Sequence, residues 1–164
     1  MDLTKAKDLA LDKMNTYGLL ADGWTFGFDR AVSRFGLTKF APVRRISLSE
    51  PLTRMNSEEE TLDTILHEIA HALAGGKAGH GPIWRSKFLA MGGSGRRTAD
   101  AAKVVAPPKK LVGTCPNGHT TFKDRRPSKA MACGTCCRTY NRGRYSDQYL
   151  FTYRPNVDML TRNV

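Results

Sequence analysis

The chain has 164 residues, of which 40% are hydrophobic and 25% are charged. This length accommodates one domain with its own core plus a small appendage, and it excludes two full-sized domains. No stretch approaches the roughly 18 consecutive apolar residues of a membrane span, and the first residues predict an amphipathic helix rather than a signal peptide. We therefore expect an intracellular, cytoplasmic protein with no membrane partner.

The positive charge is concentrated in the C-terminal part of the chain. Residues 1–106 contain 15 Lys/Arg and 12 Asp/Glu, whereas residues 107–164 contain 11 Lys/Arg and 3 Asp/Glu. A basic segment of this kind favours a polyanionic partner, most simply DNA, and the aromatic residues between its basic residues are suited to stacking on bases. The alternative is a solubilising surface whose aromatics form the core of a small domain.

The first part of the chain is predicted to contain a helix followed by a small sheet. Residues 3–19 have the apolar periodicity of an amphipathic helix. Alternation of apolar with small or polar residues predicts three short strands, at residues 24–28, near 31–35 and at 43–48. Gly36 is expected to interrupt the second strand, and residues 52–55 to turn toward the next helix. We expect a small, mostly antiparallel sheet between helices, which is an α+β fold.

Two further helices are predicted after the sheet. One begins near residue 57, where Ser57 and Glu60 form a capping box, and it ends at the two glycines 75 and 76. The other begins at Pro82, because proline suits the first turn of a helix. Between them lies a short glycine-containing loop.

The first of these two helices contains a candidate metal site. His67 and His71 are four residues apart, so both imidazoles lie on one helix face, where they can bind one metal ion. Glu68 follows His67 directly and lies to the side, where it can accept a proton from water at the metal rather than bind the metal. The alternative is a pair of solvated histidines on the outer face of an amphipathic helix.

A third metal ligand is expected at His80, nine residues after His71. The intervening glycines allow the chain to fold back over the histidine face. A helix-capping or core role is the alternative for His80, and Asp100 is an alternative third ligand. Asp63, one turn before His67, is either a hydrogen-bond acceptor for that imidazole or a surface acid near the helix start.

Other patterns of zinc hydrolase are excluded by the sequence. The pattern H-E-x-x-H-x-x-G-x-x-H requires glycine and histidine where this chain has Ala74 and Lys77. A glutamate ligand from a downstream helix is excluded because no glutamate follows Glu68. This also weakens the resemblance to ImmA/IrrE-type regulatory proteases, which use such a ligand.

The C-terminal segment carries a second candidate metal site. The corners Cys115-Pro-Asn-Gly-His119 and Cys133-Gly-Thr-Cys136 each include a glycine for a tight turn and together predict a tetrahedral Cys3His zinc site. Such a site has no open position and is therefore structural. Cys137 is interpreted as a spare thiol, although it is also a possible replacement for a neighbouring ligand. The basic residues expected to contact DNA phosphates are Lys123, Arg125, Arg126, Lys129, Arg138, Arg142 and Arg144.

The sequence resembles the SprT family of zinc metalloproteases. The resemblance is carried by Thr64-Ile-Leu-His-Glu-Ile-Ala-His71 and Gly79-His-Gly-Pro82, with Ile46-Ser-Leu-Ser-Glu-Pro-Leu52 and the C-terminal metal ribbon in support. Three positions depart from the usual family pattern: Ile83, Trp84 and His119. The resemblance implies a zincin-like protease domain at 1–106, a zinc ribbon at 107–164, proteolysis, and a role on proteins bound or crosslinked to DNA.

These observations predict a zinc endopeptidase that acts on DNA-associated proteins. His67, His71 and His80 are expected to hold a catalytic zinc with a fourth position for water, Glu68 to act as the base, and a second zinc to stabilise the ribbon. A monomer is favoured. The alternatives are a non-enzymatic DNA-binding or adaptor protein with two structural zinc sites, a regulatory protease of the ImmA/IrrE type, and a protease whose basic tail binds only a protein.

Overall fold

The computed structural model describes residues 1–99 and 102–157. The chain forms two compact units, Met1–Pro107 and Pro108–Val164. Both units combine helices with a small sheet, which confirms the α+β fold class. Within the described residues, no helix is long and apolar enough to span a bilayer.

The described residues of the first unit form four helices, a 3-10 turn and three strands. In chain order these are α1 (Leu3–Thr16), β1 (Thr25–Asp29), β2 (Gly36–Lys39), β3 (Arg45–Ser49), α2 (Glu50–Met55), α3 (Glu58–Ala74), a 3-10 turn (Gly76–Ala78) and α4 (Pro82–Ala90). The strand order is β1-β3-β2. The central strand β3 is parallel to β1 and antiparallel to β2, so the sheet is mixed and the prediction of a mostly antiparallel sheet was wrong for this unit.

The second strand begins after the position predicted for it. Residues 31–35 are not a strand, because the Asp29 carboxylate accepts hydrogen bonds from the main-chain N–H of Ala31 (2.9 Å) and from Nη1 of Arg34 (2.9 Å). A carboxylate that binds the backbone two residues ahead forms a turn. The strand starts at Gly36, which was expected to interrupt it.

Two helix boundaries also differ from the prediction. The first helix ends at Thr16 rather than at residue 19. Residues 52–55, expected to form a turn, lie in the helix Glu50–Met55, because Ser49 caps the segment through a 3.1 Å bond to the N–H of Leu52 and Pro51 lies in the first turn.

The core of the first unit lies between α1, α3 and the sheet. It is formed by Ala10, Met14, Leu19, Trp24, Ile46, Leu48, Ile65 and Ile69. A second apolar cluster lies between α3 and α4 and contains Leu66, Ala70, Trp84 and Phe88. Because α3 contributes to both clusters, its rotation about its own axis is fixed, and so is the direction of its histidine face.

Up to residue 157, the second unit forms a three-stranded antiparallel sheet with one short helix. Its elements are β4 (Leu111–Thr114), β5 (Thr120–Lys123), α5 (Gly134–Tyr140), a 3-10 turn (Asp147–Tyr149) and β6 (Thr152–Pro155). The strand order is β5-β4-β6. Its buried centre consists of three cysteines, with Tyr149 and Phe151 packed against them. So small an apolar core is characteristic of domains that need a metal to fold.

Candidate metal centres and active site

Helix α3 places two histidines on the face left free by its apolar contacts. Ser57 caps the helix by accepting a hydrogen bond from the N–H of Glu60 (3.2 Å), and Gly75 ends it with a positive φ of 83°. Both boundaries agree with the sequence prediction. Ile69 points into the main core and Ala70 toward α4, so the remaining face carries His67 and His71.

The loop after α3 brings His80 back to this face. A 3-10 turn follows Gly75, and Gly79 has a φ of 50°, which favours glycine. The N–H of Gly81 donates to the carbonyl of Ala78 at 2.9 Å, and Gly81 then caps α4. These turns reverse the chain within a few residues of the helix end.

The three imidazoles converge on one point through their Nε2 atoms. The distances are 3.2 Å between His67 and His71, 3.1 Å between His71 and His80, and 3.1 Å between His80 and His67. Three nitrogens bound to one zinc at about 2.0–2.1 Å with tetrahedral angles are roughly 3.3–3.4 Å apart. The residues present therefore fit a tetrahedral zinc ion with three protein ligands.

The surroundings of all three histidines favour the neutral imidazole, which is the form that binds a metal. Burial, with the neighbouring imidazoles as smaller contributors, lowers the pKa of His67 to about 3 and that of His71 to about 4. Burial and the charge of Arg97 lower the pKa of His80. Neutral imidazoles keep a lone pair for a cation.

The Trp84 ring packs against all three histidine rings. Its ring centroid lies 4.8 Å from that of His67, 5.4 Å from that of His71 and 4.6 Å from that of His80. Its Nε1–H donates to the main-chain carbonyl of His67 at 3.3 Å. Only 1% of Trp84 is exposed. Its packing therefore restricts the rotamers of the three imidazoles.

Glu68 lies beside this centre without joining it. Its carboxylate is not part of the histidine cluster, and the residue is only 6% exposed. The Thr38 hydroxyl lies 2.6 Å from its Oε2. Burial raises the pKa of Glu68 to about 7, against the lowering effects of the Thr38 hydrogen bond and the charge of Arg34. A buried acid next to an open metal position is placed to transfer protons.

A polar network anchors the strand ends near Glu68. The Asp29 carboxylate accepts a 2.7 Å hydrogen bond from Ser47 in addition to those from the main chain and from Arg34. These contacts tie β1 and β3 to the turn that precedes β2. The turn is thus held in place before β2, the strand that lies against α3.

Two sequence hypotheses about acidic residues need comment. Asp63 does not serve His67: its two carboxylate oxygens accept hydrogen bonds from the N–H (2.7 Å) and the hydroxyl (2.9 Å) of Ser94. The glycine-rich segment after α4 lies within reach of the first turns of α3, which explains this pairing. Asp100, the alternative third ligand, lies outside the described residues.

The second unit brings the predicted ribbon ligands together. The side-chain ligand atoms of Cys115, His119, Cys133 and Cys136 all lie within 4.8 Å of one another. The two sulfurs of Cys115 and Cys136 are 3.8 Å apart, and Nδ1 of His119 lies 3.5 Å and 3.3 Å from them. Tetrahedral zinc with Zn–S near 2.3 Å predicts roughly 3.8 Å between sulfurs, so this donor set also fits zinc.

Cys137 is buried but is not a member of this cluster. A neighbour does support the cluster: the side-chain amide of Asn117 donates to the sulfur of Cys136 at 3.3 Å. Hydrogen bonds of this kind stabilise a thiolate and orient it toward a metal.

The predicted phosphate-binding residues lie mainly on the surface of the second unit. Lys123 is half-buried, and the others are exposed: Arg125, Arg126, Lys129, Arg138, Arg142 and Arg144. Arg126 also donates to the carbonyl of Tyr153 at 3.2 Å. The exposed aromatics are Phe122, Tyr140 and Tyr145.

Sequence reasoning missed Thr38, Gly36 and Trp84 as parts of the site. Thr38 and Gly36 contact Glu68 across 30 or more residues of chain, and no spacing pattern reveals such a contact. From the sequence, Trp84 was named only as a departure from the usual family pattern. Its position four residues after the third histidine and two after Pro82 was the one available signal.

Comparison with known proteins gives a family. The SprT-like family matches residues 11–103, which is more than half of the chain and includes all three histidines of the first centre and Glu68. The match supports a metalloprotease-type function at the level of the family. No curated protein matches the chain.

Proposed function

The chain belongs to the SprT-like family, and from the geometry of its histidine centre we propose that it is a zinc-dependent endopeptidase with Glu68 as general base. One observation carries the proposal: three Nε2 atoms lie 3.1–3.2 Å apart, and the residue directly after His67 is a buried glutamate whose carboxylate is not in this cluster. A purely structural site does not require such an acid. We also propose a substrate class and a role for the second unit.

The donor set determines what the centre does. His67, His71 and His80 would hold zinc with one position open, and zinc supplies the Lewis acidity that activates water and polarises a peptide carbonyl. The Glu68 carboxylate accepts the proton that the attacking water loses. It then delivers this proton to the departing amine nitrogen, so the base of the first step is the acid of the second.

The substrate backbone has a place to bind next to this centre. Strand β2 is at an edge of its sheet, and it lies against α3 through the contact between Thr38 and Glu68. An extended peptide added to this edge would pair its backbone with β2. Backbone recognition of this kind requires an unfolded or extended segment of substrate and selects little by sequence.

We assign the second unit a structural zinc and the role of bringing the protease to DNA. The support is chemical: three buried cysteines and His119 leave no position for substrate, while arginines of the same unit, such as Arg142 and Arg144, are exposed. Contacts to phosphates recruit an enzyme without selecting a DNA sequence. The proposed substrates are proteins bound or crosslinked to DNA, and the proposed location is intracellular.

The test uses one substrate protein in two forms. Fluorescein-labelled casein and the same casein crosslinked to a DNA oligonucleotide are incubated with the zinc-loaded wild type and with the Glu68→Gln variant. We expect fragments from the wild type, faster release from the crosslinked form, and a rate at least about 100-fold lower for the variant at unchanged zinc content.

Three outcomes would each contradict one part of this proposal. Equal cleavage by Glu68→Gln and wild type removes the proposed base. Absence of fragments from the zinc-loaded wild type with either substrate contradicts the peptidase and leaves a protein with two structural zinc sites. Equal rates for the two casein forms contradict recruitment by DNA.

A further inference from the structure

Strand β2 holds two residues that contact Glu68, and neither is a ligand or a base. We propose that β2 positions the general base: Gly36 leaves the space that the Glu68 side chain occupies, and the Thr38 hydroxyl binds its carboxylate. This deepens the proposed function and rests on it. Gly36 and Thr38 are positioning residues, because they act on the reaction through Glu68.

The space at Gly36 is filled by Glu68 itself. A Cβ built at Gly36 would lie 2.5 Å from Oε1, 2.7 Å from Cγ and 2.9 Å from Cδ of Glu68. Real Cβ atoms essentially never approach heavy atoms this closely. Because Glu68 is buried between α3 and β2, its side chain has little room to withdraw. Any larger residue at position 36 therefore displaces the base.

The backbone gives no other reason for a glycine at this position. Gly36 does not have the positive φ that favours glycine elsewhere in the chain, and it begins a regular strand in register with Leu48. A glycine in a strand contributes no side-chain packing. Close approach of another group is the usual explanation for such a residue, and here that group is the Glu68 carboxylate.

Thr38 supplies the hydrogen bond that orients this carboxylate. Its hydroxyl lies 2.6 Å from Oε2 of Glu68 and 2.9 Å from the Glu68 main-chain oxygen. A hydroxyl has one hydrogen, and 2.6 Å is in the range of a charge-assisted O–H···O⁻ bond. The bond to the carboxylate occupies one of its roughly four acceptor sites, so the group can still accept a proton.

The two contacts come from one strand face. Residues 36 and 38 are two apart, so their side-chain positions lie on the same side of β2. One residue admits the carboxylate and the other binds it, which together restrict its position and its rotation. Catalytic groups need positions within about 0.5 Å, and a misplacement of about 1 Å can lower the rate 100-fold.

The test of Thr38 compares loss and retention of its hydroxyl. Thr38→Val is nearly isosteric and removes only the hydrogen bond, while Thr38→Ser keeps it. With crosslinked casein as substrate, we expect Thr38→Val to lower kcat roughly 10- to 100-fold at unchanged KM and zinc content, and Thr38→Ser to restore most of it. Thr25→Val is the control, because Thr25 lies on the opposite edge strand β1 and its hydroxyl faces a backbone carbonyl.

The test of Gly36 uses a matched glycine in the same sheet. Gly36→Ala is expected to lower kcat by a similar factor. Gly27→Ala in β1 is the control, because an added Cβ there meets only the end of the exposed, flexible Arg45 side chain. The control should retain the wild-type kcat.

A measurement independent of activity tests the contact itself. Urea unfolding of zinc-loaded Thr38→Val, Glu68→Ala and the double variant forms a double-mutant cycle. The hydrogen bond predicts that the two single losses of stability are not additive, whereas additivity overturns the proposal.

The outcomes separate this proposal from the proposed function. If Glu68→Gln is inactive while Thr38→Val and Gly36→Ala keep the wild-type kcat, β2 does not position the base, and the proposed peptidase function stands. If Thr38→Ser is as slow as Thr38→Val, loss of the hydroxyl does not explain the lower kcat, and the proposal that Thr38 positions the base is wrong. If Glu68→Gln is fully active, the proposed function itself fails.

Discussion

The two candidate metal centres differ in the number of side chains that could bind a metal and in the groups that neighbour them. The first has three histidine nitrogens, with His80 exposed, and the buried Glu68 directly follows His67 in the chain. The second has four ligands, of which three are buried cysteines, and an amide from Asn117 on one sulfur. Three ligands leave a metal position for chemistry, and four thiolate-rich ligands close it. The ligand count and the neighbouring group, rather than the presence of a metal, therefore separate a catalytic from a structural centre.

The largest predicted contrast comes from removing one ligand at each centre. We expect His71→Ala to abolish casein cleavage while the second unit stays folded. Cys136→Ala should unfold the second unit, because structural zinc contributes about 10–16 kcal/mol of binding free energy to such domains, while cleavage of free casein persists. Cleavage, zinc content and circular dichroism measured on both variants check this prediction. Loss of free-casein cleavage in Cys136→Ala would contradict the division of roles.

The next effect concerns the support under the first centre. Trp84→Ala removes a buried ring that contacts three histidines, and it should destabilise the protein by about 3–5 kcal/mol and weaken zinc binding. Trp84→Phe keeps an aromatic ring in place and should do much less. Chemical unfolding and zinc titration of the two variants provide the measurement. A Trp84→Ala variant with wild-type zinc affinity would show that the ring does not restrain the imidazoles.

A smaller effect separates true ligand support from a structural hydrogen bond. Asn117→Ala should lower the zinc affinity of the second centre about 10- to 100-fold, as is typical when a hydrogen-bond partner of a ligand is lost. Asp63→Ala should cost roughly 1–3 kcal/mol of stability through Ser94 and leave the first centre's zinc affinity unchanged. Competition with a chelator measures both affinities. A weaker first centre in Asp63→Ala would restore the hypothesis that Asp63 orients His67.

The smallest predicted effect is on DNA binding. Changing Arg142 and Arg144 to glutamine should weaken binding to a DNA oligonucleotide and reduce the slope of log K against log salt by about 1–2. Arg44 and Arg45 of the first unit form a charge-matched control pair, both exposed. Fluorescence anisotropy across a salt series is the measurement. An equal loss in both pairs would mean that binding follows net charge rather than the surface of the second unit.

The parts of the fold that depend on local spacing could be predicted from the sequence. Helix α3 was expected from residue 57 to 74 and spans Glu58–Ala74, because caps and apolar periodicity are local signals. His80 was expected near the histidine pair because a loop with glycines reverses the chain over a short distance.

The parts that depend on tertiary contacts could not be predicted. The start of β2 was misplaced because the Asp29 side chain makes a turn that competes with strand pairing. Asp63 was a candidate partner for His67 by helix spacing, but Ser94, 31 residues later, takes both of its oxygens. Gly36 looked like a strand interruption because the group that fills its space comes from another element.

The most direct test of the contrast between the two centres is stepwise removal of zinc. The wild-type protein, loaded with zinc, is titrated with a chelator while casein cleavage and bound zinc are measured together. We predict two zinc equivalents, of which the histidine-bound one leaves first, and cleavage lost in proportion to that first equivalent while the fold of the second unit remains. Cleavage that persists until the second equivalent leaves would contradict the assignment of catalysis to His67, His71 and His80.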